Sequence, residues 1–406
     1  MKRRKCASGA GREPSQERGP ALLEREELAV KLAHCTAELA RAKADAIVFS
    51  QEGAMRWLTG TRHEIAAISP DAPSPVQAIV RAAGSRVEIA FFTTRIEMPR
   101  VKDQVPAVFT GHPGLAISFH ETPPSGSGRL LAPPSPECVE VMGRIVRPVV
   151  GGLEGNQYAK LSWLCAATTA ALAETAGELA PGMDGALVRA KALASLLRRD
   201  IDSNLVLVAL AGQERHLHPL WESRYRIEKD CWVKLVAGAR YAEAIISATV
   251  MVKFGSRPSP EAQASYRALQ EGVVEYADCY RAAAVEGEIY TETGRRFESL
   301  GRKHGIPGFG AAAYAHHPGG PTSPIGNRDY LLEERGTRTM FPWMQFAINP
   351  VEPRHSTKVE LQGIVMPDGP PHSLDASRFT PSRLLSFTEI VSANGTQAKV
   401  ADILQR

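Results

Sequence analysis

Two histidines separated by a single residue, His216 and His218, are the first sign of chemistry in this sequence. They follow a continuously apolar run at 205–210, which predicts a buried strand. Loops at strand ends often hold reactive groups, and a spacing of two places both imidazoles on one side of an extended segment. Such a pair can bind a metal ion or act as a general acid and base, while two ordinary surface histidines are the alternative.

A second pair, His316 and His317, directly precedes the run Pro-Gly-Gly at 318–320. Adjacent residues of an extended chain point to opposite sides, so we expect one imidazole to face a site and the other to support it. The glycines allow the backbone to pass close to a ligand. An ordinary loop is the competing interpretation for this segment.

A carboxylate and an amide lie further along the chain, at Glu360 and Asn349. Glu360 stands between Val359 and Leu361, so on a strand it projects to the side opposite both. A carboxylate on an otherwise apolar strand needs a partner or a role, and an arginine-paired surface residue is the alternative. The sequence contains no common motif for dinucleotide or phosphate binding, zinc peptidases or serine hydrolases.

Alternating helix and strand patterns are predicted to position these residues. A segment rich in Pro and Gly at 147–152 indicates the boundary between an N-terminal domain and a C-terminal domain. A tail precedes the N-terminal domain. The predicted ranges are a flexible tail at 1–24, a domain at 25–150 and a domain at 151–406. The predicted helices are 26–44, 156–179, 183–198, 258–284 and 291–304, and the predicted strands are 46–49, 87–92, 205–210, 232–239 and 244–252. Gly60 marks a turn between the first two strands.

Composition excludes several classes of protein. With 406 residues and 44% hydrophobic residues, the chain is long and apolar enough for two or three globular domains. A net charge of +4 is too small to indicate nucleic-acid binding by itself. No run of about 18 uncharged apolar residues predicts a membrane span. We therefore expect a cytoplasmic protein with neither a nucleic-acid nor a membrane partner.

The order of these segments resembles the creatinase, prolidase and methionine aminopeptidase superfamily, which has the pita-bread fold. The matching pieces are Arg56-Trp-Leu-Thr-Gly60, Arg215-His-Leu-His-Pro219, the hairpin at 232–254, the His-His-Pro-Gly-Gly block, and Asn349-Pro followed by Lys358-Val-Glu360. The resemblance implies an α/β (α+β) fold class. It also implies a small N-terminal creatinase-like α/β domain and a C-terminal pita-bread domain with pseudo-twofold ααβ repeats. It further implies a homodimer whose N-terminal domain closes the neighbouring subunit's site.

The predicted metal site departs from the family. Metallopeptidases with this fold hold two divalent ions with two Asp, one His and two Glu. Where the resemblance places the two Asp, this chain has Leu235 or Val236, and Ser247 or Ala248. Asn349 stands at the first Glu position, so only Glu360 and one histidine of the 316–317 pair remain. A divalent ion needs several anionic oxygens, so we predict neither a metal nor any other cofactor.

The resulting prediction is a metal-independent hydrolase or lyase that acts on a C–N bond of a small amino-acid-like or peptide-like molecule. Creatinase and ectoine hydrolase are similar metal-free relatives, and a role in bacterial secondary metabolism fits a degenerate member. A catalytically inactive binding module, similar to the histone-chaperone domain of this fold, is the alternative. A Xaa-Pro metallopeptidase is the third and least favoured hypothesis.

Candidate roles follow from this prediction. One histidine of each pair moves protons or polarises the substrate, and Glu360 binds the substrate cation or orients a histidine. Arginine suits carboxylate binding because its planar fork forms two hydrogen bonds at once. The catalytic candidates are His216, His218, His316, His317 and Glu360, and the substrate-binding candidates are Arg62, Lys234, Asn349, Arg328 and Tyr330.

Overall fold

The computed structural model describes most of the chain in eleven stretches of sequence. They are residues 19–61, 73–84, 86–105, 107–213, 223–281, 284–306, 318–325, 332, 336–352, 354–355 and 357–406. No helix in these stretches has the length and apolar character needed to cross a membrane.

The N-terminal part is one mixed sheet packed against helices. Its elements are α1 (Arg25–Arg41), β1 (Ala46–Gln51), α2 (Glu52–Thr59), β2 (Pro73–Ala83), β3 (Arg86–Thr93), α3 (Met98–Gln104), β4 (Leu115–His120), β5 (Leu130–Leu131) and α4 (Pro136–Val146). The strand order is β4-β3-β2-β1-β5, with parallel pairing only at the two edges. Buried apolar residues of α1, α2, α4 and the central strands form one core. This small α/β unit confirms the predicted fold class at this end.

The C-terminal part repeats one order of elements, two helices followed by strands. The first unit is α5 (Asn156–Glu178), α6 (Gly185–Leu197), β6 (Asp202–Ala209), β7 (Trp232–Tyr241) and β8 (Ala244–Lys253). The second unit is α7 (Pro260–Ala277), α8 (Glu286–Lys303), β9 (Gly319–Thr322), β10 (Gln345–Ile348), β11 (Val351–Glu352), β12 (Thr357–Lys358), β13 (Leu361–Ile364), β14 (His372–Ser373), β15 (Phe387–Val391), β16 (Gln397–Ala401) and β17 (Leu404–Gln405).

The two units have separate cores. Helices α5 and α6 pack on one face of the sheet β17-β8-β7-β6, and α7 and α8 pack with the sheet β14-β13-β10-β9 and the hairpin β15–β16. Twofold recurrence of helix–helix–strand is what the resemblance implied. The predicted boundaries at residues 24 and 150 remain predictions.

A helix precedes Gly60, where the sequence predicts only a turn marked by this glycine. Residues 52–59 form the helix α2. Gly60 has φ 69° and is the left-handed residue that terminates this helix. The glycine therefore marks the point at which a helix not predicted from the sequence ends.

Four buried charges join the N-terminal and C-terminal parts. This charge quartet consists of Glu27 and Lys31 on α1, Lys160 on α5, and Glu243 in the turn between β7 and β8. Lys160 Nζ lies 2.8 Å from Glu27 Oε1 and 2.6 Å from Glu243 Oε1, and Lys31 Nζ lies 2.6 Å from Glu27 Oε1. Burial alone raises the pKa of Glu27, but the two ammonium groups outweigh it and bring the pKa to about 2.

The chain just before α1 also binds the C-terminal part. The Tyr241 hydroxyl donates to the Pro20 carbonyl at 2.8 Å, and Lys160 Nζ donates to the Leu22 carbonyl at 2.9 Å. Asn156 Nδ2 donates to the Ala21 carbonyl at 2.8 Å. The last residues of the predicted tail therefore accept hydrogen bonds from α5 and β7.

Candidate functional site

One face of the β7–β8 hairpin points away from helices α5 and α6, and we call it the inner face. Alternate residues of β7, including Val233 and Leu235, pack in the core against α5, so Lys234 and Val236 point to the opposite side. Lys234 pairs with Met251, which belongs to the core of the second unit. The inner face is therefore turned toward the second unit.

The second unit places Asn349 directly across from Glu360. Ile348 pairs with Leu361 on one side of them, and Val351 pairs with Lys358 on the other. Both pairs belong to the same antiparallel register, so Asn349 and Glu360 are opposite residues on one face of the ladder. Cβ atoms of such pairs are about 5 Å apart.

Two glutamines fix this face of the ladder against β8. Gln345 Nε2 donates to the Ile245 carbonyl at 2.6 Å, and Gln362 Nε2 donates to the Ser247 carbonyl at 3.0 Å. Side chains alternate along a strand, so these glutamines lie on the same face as Asn349 and Glu360. Asn349, Glu360 and the inner face of β7–β8 therefore share one interior region.

Three buried oxygen atoms of this region accept no hydrogen bond from the described residues. Glu360 Oε1 accepts from Lys358 Nζ at 2.9 Å, and the two side chains are only 2% and 4% exposed. Within the stretches that the structure describes, Glu360 Oε2, Asn349 Oδ1 and Thr249 Oγ1 are buried and have no hydrogen-bond partner. Buried polar atoms are nearly always satisfied, so these atoms indicate room for water or a polar ligand.

Lys234 places a second positive group at this site. Its side chain is 2% exposed on the inner face of β7. Burial, reinforced by the positive charge of Lys358, lowers the pKa of Lys234 to about 7. At neutral pH a large fraction of this side chain is therefore an uncharged amine, which is a possible nucleophile or base.

The lowered pKa of Lys234 gives a prediction about stability. The unfolded chain binds the proton up to a pH near 10.5, but the folded chain binds it only up to about 7. Stability therefore rises with pH between these values, and the cost of the buried charge is fully present below pH 7. We expect Lys234→Met to be more stable than the parent by about 2–4 kcal/mol at pH 6. The gain should shrink at pH 8 and 9.5.

Urea unfolding at the three pH values measures this difference. Lys399→Met is the matched control, because Lys399 is 46% exposed in an ion pair with Asp375 and should change stability by about 0–1 kcal/mol at every pH. A Lys234→Met effect that is independent of pH would contradict the assigned pKa.

Three of the predicted site residues come together. Glu360, Asn349 and Lys234 border the same interior region. The other candidates lie outside the described residues, so their roles remain predictions: His216, His218, His316, His317, Arg62, Arg328 and Tyr330. Sequence reasoning gave no role to Lys358 or Thr249. The spacing of Lys358 two residues before Glu360, on one face of a strand, was the available signal.

Several solved structures are similar to this chain. The Xaa-Pro dipeptidase from Bacillus anthracis aligns with a TM-score of 0.61 and 15% identity over 87% of this chain and 98% of its own. The X-Pro aminopeptidase from Thermotoga maritima MSB8 has a TM-score of 0.61 and 12% identity, covering 90% of this chain and 99% of its own. The N-terminal domain of the FACT complex subunit SPT16 from chickpea, Cicer arietinum, has a TM-score of 0.58 and 10% identity, over 89% and 98%.

These likenesses define the fold, which is the pita-bread fold with an N-terminal domain. The model of metallopeptidase family M24 matches residues 159–373, which is more than half of the sequence. The chain therefore belongs to the metallopeptidase M24 family. No curated protein sequence matches it.

The described residues do not fit the pair of divalent ions that the family implies. Leu235 and Ala248 pack in the apolar core, so the inner-face positions at which Asp would stand are Val236 and Ser247. Neither side chain is anionic, and Val236 follows Lys234 on the same face of β7, while Ser247 pairs with Gly238. In the part of the chain that the structure describes, no three His, Cys, Asp or Glu side chains form a metal-binding group. No chemical step is therefore assigned to a metal here.

Proposed function

We propose that this member of the M24 family is an enzyme that acts on a C–N bond of a small amino-acid-like or peptide-like substrate without a metal ion. The observation that supports this most is the replacement of acidic ligands by Val236, Ser247 and Asn349. Glu360 Oε2 is a buried carboxylate oxygen with no hydrogen-bond partner among the described residues. It shares its interior region with the side chains of Lys234 and Lys358. Such a site favours acid–base chemistry on a zwitterionic substrate.

The proposed roles divide between the charged groups. Glu360 is held by Lys358 through Oε1, so its Oε2 is available to accept a proton or bind a substrate N–H. Asn349 Oδ1 accepts a second N–H from the substrate, and Lys234 binds its carboxylate in the charged form. His218 or His216 transfers a proton to the leaving nitrogen, while His316 or His317 polarises the substrate. Both hydrolysis and elimination need these proton transfers.

Further proposals concern assembly and substrate capture. We propose a homodimer in which Arg62, from the N-terminal domain of one subunit, binds substrate in the site of the other. Arg328 and Tyr330 are proposed to complete the substrate contacts. The proposed location is the cytoplasm, and the proposed role is in bacterial secondary metabolism. The dimer and the substrate contacts rest on the family resemblance, and the location rests on the composition of the chain.

The test is a substrate screen in the presence of a chelator. N-acyl amino acids, ureas, guanidino acids and dipeptides are assayed with the purified chain in EDTA. We expect turnover of one class to persist in EDTA and to fall about 10²- to 10⁴-fold in Glu360→Gln and in His218→Ala. Glu389→Gln is the matched control, because Glu389 is an exposed carboxylate on β15 and its loss should leave turnover unchanged. Activity that disappears in EDTA and returns with manganese or zinc would overturn the metal-free proposal.

The second candidate function is a binding module without catalysis. The replacements at 236, 247 and 349 support it equally, because a module that keeps the fold only for binding has no need of metal ligands. The fold itself does not separate the two candidates, since the similar structures include both a dipeptidase and a FACT subunit domain. Absence of turnover in the whole screen, with tight binding of a protein partner, would favour the module.

A further inference from the structure

We propose that helix α2 of the N-terminal part is a brace that fixes the separation of the two C-terminal units, with Gly53 and Arg56 as its positioning residues. The family resemblance gave the N-terminal domain a role only in the neighbouring subunit's site, so this assigns it a second role within its own chain. The consequence for catalysis rests on the proposed function, whereas the effect on the separation of the units does not.

The two C-terminal sheets contact each other along one side of the interior region. Strand β8 contacts β12 and β13, and Gln362 Nε2 donates to the Ser247 carbonyl there at 3.0 Å. The strand orders β17-β8-β7-β6 and β14-β13-β10-β9 place β6 and β9 at the edges that lie away from this contact. The width of the interior region on that side therefore depends on what holds the β6 and β9 edges.

Arg56 attaches α2 to the first unit. Its side chain is 4% exposed, and its Nη1 donates to Asp202 Oδ2, at the start of β6, at 3.1 Å. Arg56 Nε donates to Glu52 Oε1 at 3.0 Å, one turn earlier on the same helix, and the Ser74 hydroxyl donates to Glu52 Oε2 at 3.1 Å. The guanidinium is therefore held in one orientation while it pairs with β6.

Gly53 brings the same helix against the second unit. A Cβ atom at this position would lie 1.7 Å from the Pro324 carbonyl oxygen, so the α2 backbone touches the segment that directly follows β9. Ile325 also packs against the core of the N-terminal part. Glycine is unfavourable inside a helix compared with alanine, and a helical glycine usually has a packing reason. Here the close approach to Pro324 requires it.

Helix α2 is enclosed on all sides. All eight of its residues are buried, and Met55, Trp57 and Leu58 belong to the N-terminal core. Gly53 and Arg56 are three residues apart, so their contacts come from one face of a single helical turn. Because this turn contacts both β6 and the end of β9, its position sets the distance between the two strands.

The two braced strands lead into the candidate site. Ala209, at the end of β6, pairs with Lys234, and the Asn349 amide donates to the Pro318 carbonyl, directly before β9, at 3.0 Å. The two histidine pairs follow β6 and precede β9 in the sequence. A change in the distance between β6 and β9 should therefore displace the groups of one unit relative to those of the other. A displacement of about 1 Å can lower a rate about 10²-fold.

Pulsed electron paramagnetic resonance between two spin labels tests the brace. The labels are attached at Ala194→Cys on α6 and Glu298→Cys on α8, which are both exposed, in a Cys6→Ser background. The other five cysteines are buried. We expect one narrow distance distribution in the parent. In Gly53→Ala the added Cβ needs about 2 Å more room, so the mean distance should change by about 2 Å or more and the distribution should broaden.

Arg56→Met provides the second brace variant. It removes the ion pair with Asp202 but adds no atom at the interface, so the distance distribution should broaden. Circular dichroism shows which variants fold, and if Gly53→Ala does not fold, Arg56→Met decides the proposal by the same measurement. An unchanged distribution in Gly53→Ala would overturn the brace, and an unchanged distribution in Arg56→Met alone would remove Arg56 from it.

Two control variants separate positioning from loss of stability. Leu28→Ala deletes a fully buried side chain from the same N-terminal core, so it destabilises the chain without altering either contact of α2. Gly177→Ala changes a glycine of α5 whose added Cβ would meet only Leu384, at 3.4 Å. Both controls should keep the parent distance. A change in Leu28→Ala equal to that in Gly53→Ala would contradict the proposal.

The spin-label distance is measured without turnover, so it remains decisive when the C–N substrate screen finds no activity. If the screen identifies a substrate, kcat should fall about ten- to hundred-fold in both brace variants and stay within about three-fold of the parent in Leu28→Ala. An altered distance with an unchanged kcat would support the brace and exclude its role in catalysis.

Discussion

Replacing Glu243 with glutamine is expected to lower the free energy of unfolding by about 3–5 kcal/mol. Glu243 Oε1 lies 2.6 Å from Lys160 Nζ and 3.4 Å from Lys31 Nζ, and all three side chains are fully buried. Glutamine keeps the volume and one carbonyl oxygen but removes the negative charge. Two ammonium groups then share the single carboxylate of Glu27, so one positive charge is left uncompensated in the interior.

Urea unfolding of the parent and variant chains measures this loss. Asp375→Asn is the matched control, since the Asp375–Lys399 pair has a similar N–O distance of 3.1 Å but is 45% and 46% exposed. That change should cost about 0–1 kcal/mol. Combining Glu243→Gln with Lys160→Met restores charge balance, so the double variant should be more stable than Glu243→Gln alone. A loss below about 1 kcal/mol in Glu243→Gln would show that the quartet does not stabilise the fold.

Gly319→Ala should destabilise the chain by about 2–5 kcal/mol. Gly319 begins β9 with φ 119°, a conformation that residues with a side chain rarely adopt. An added Cβ would lie 2.0 Å from the Ala347 carbonyl oxygen on β10, so the two strands must separate. Since β10 leads directly into Asn349, the site should be disturbed together with the fold.

Gly369→Ala provides the comparison for this prediction. Gly369 also has a positive φ, of 79°, but an added Cβ has no atom within 4 Å. Gly369→Ala should therefore lower the free energy of unfolding only by the cost of its backbone conformation, about 1–2 kcal/mol. Thermal and urea unfolding of the two variants therefore separates backbone strain from the steric clash. Equal losses in both variants would rule out the close approach of β9 and β10 as the cause.

The sequence predicted the parts of the fold that depend on local pattern. Long apolar periodicities gave α5 and α6 within two residues of their ends, and two apolar runs gave the hairpin β7–β8. The edge strand β4 was not predicted, although its residues alternate with period two, because the stretch around it is rich in Pro, Gly and Ser. Helix α2 was missed because eight residues are too few to separate a helix from a turn by periodicity.

The site was predictable only as far as residue order allowed. Asn349 and Glu360 were predicted because Asn349-Pro followed by Lys358-Val-Glu360 resembles the family in order and spacing. The spacing of two places Lys358 and Glu360 on one face of a strand, which is visible in the sequence. The low pKa of Lys234 depends on which faces meet in space, and it is not visible in one sequence. The charge quartet was not predicted either, since Lys31 and Glu243 are 212 residues apart.

The hydrogen bonds made by Pro20, Ala21 and Leu22 have a practical consequence for shortened versions of the protein. A start codon placed at the first residue of α1 would delete the carbonyls that Tyr241, Asn156 and Lys160 bind. The ammonium of Lys160 would then lose one of its hydrogen-bond acceptors, the Leu22 carbonyl, where the N-terminal and C-terminal parts meet. Trimmed expression versions and cleavable affinity tags should therefore join the chain before Gly19.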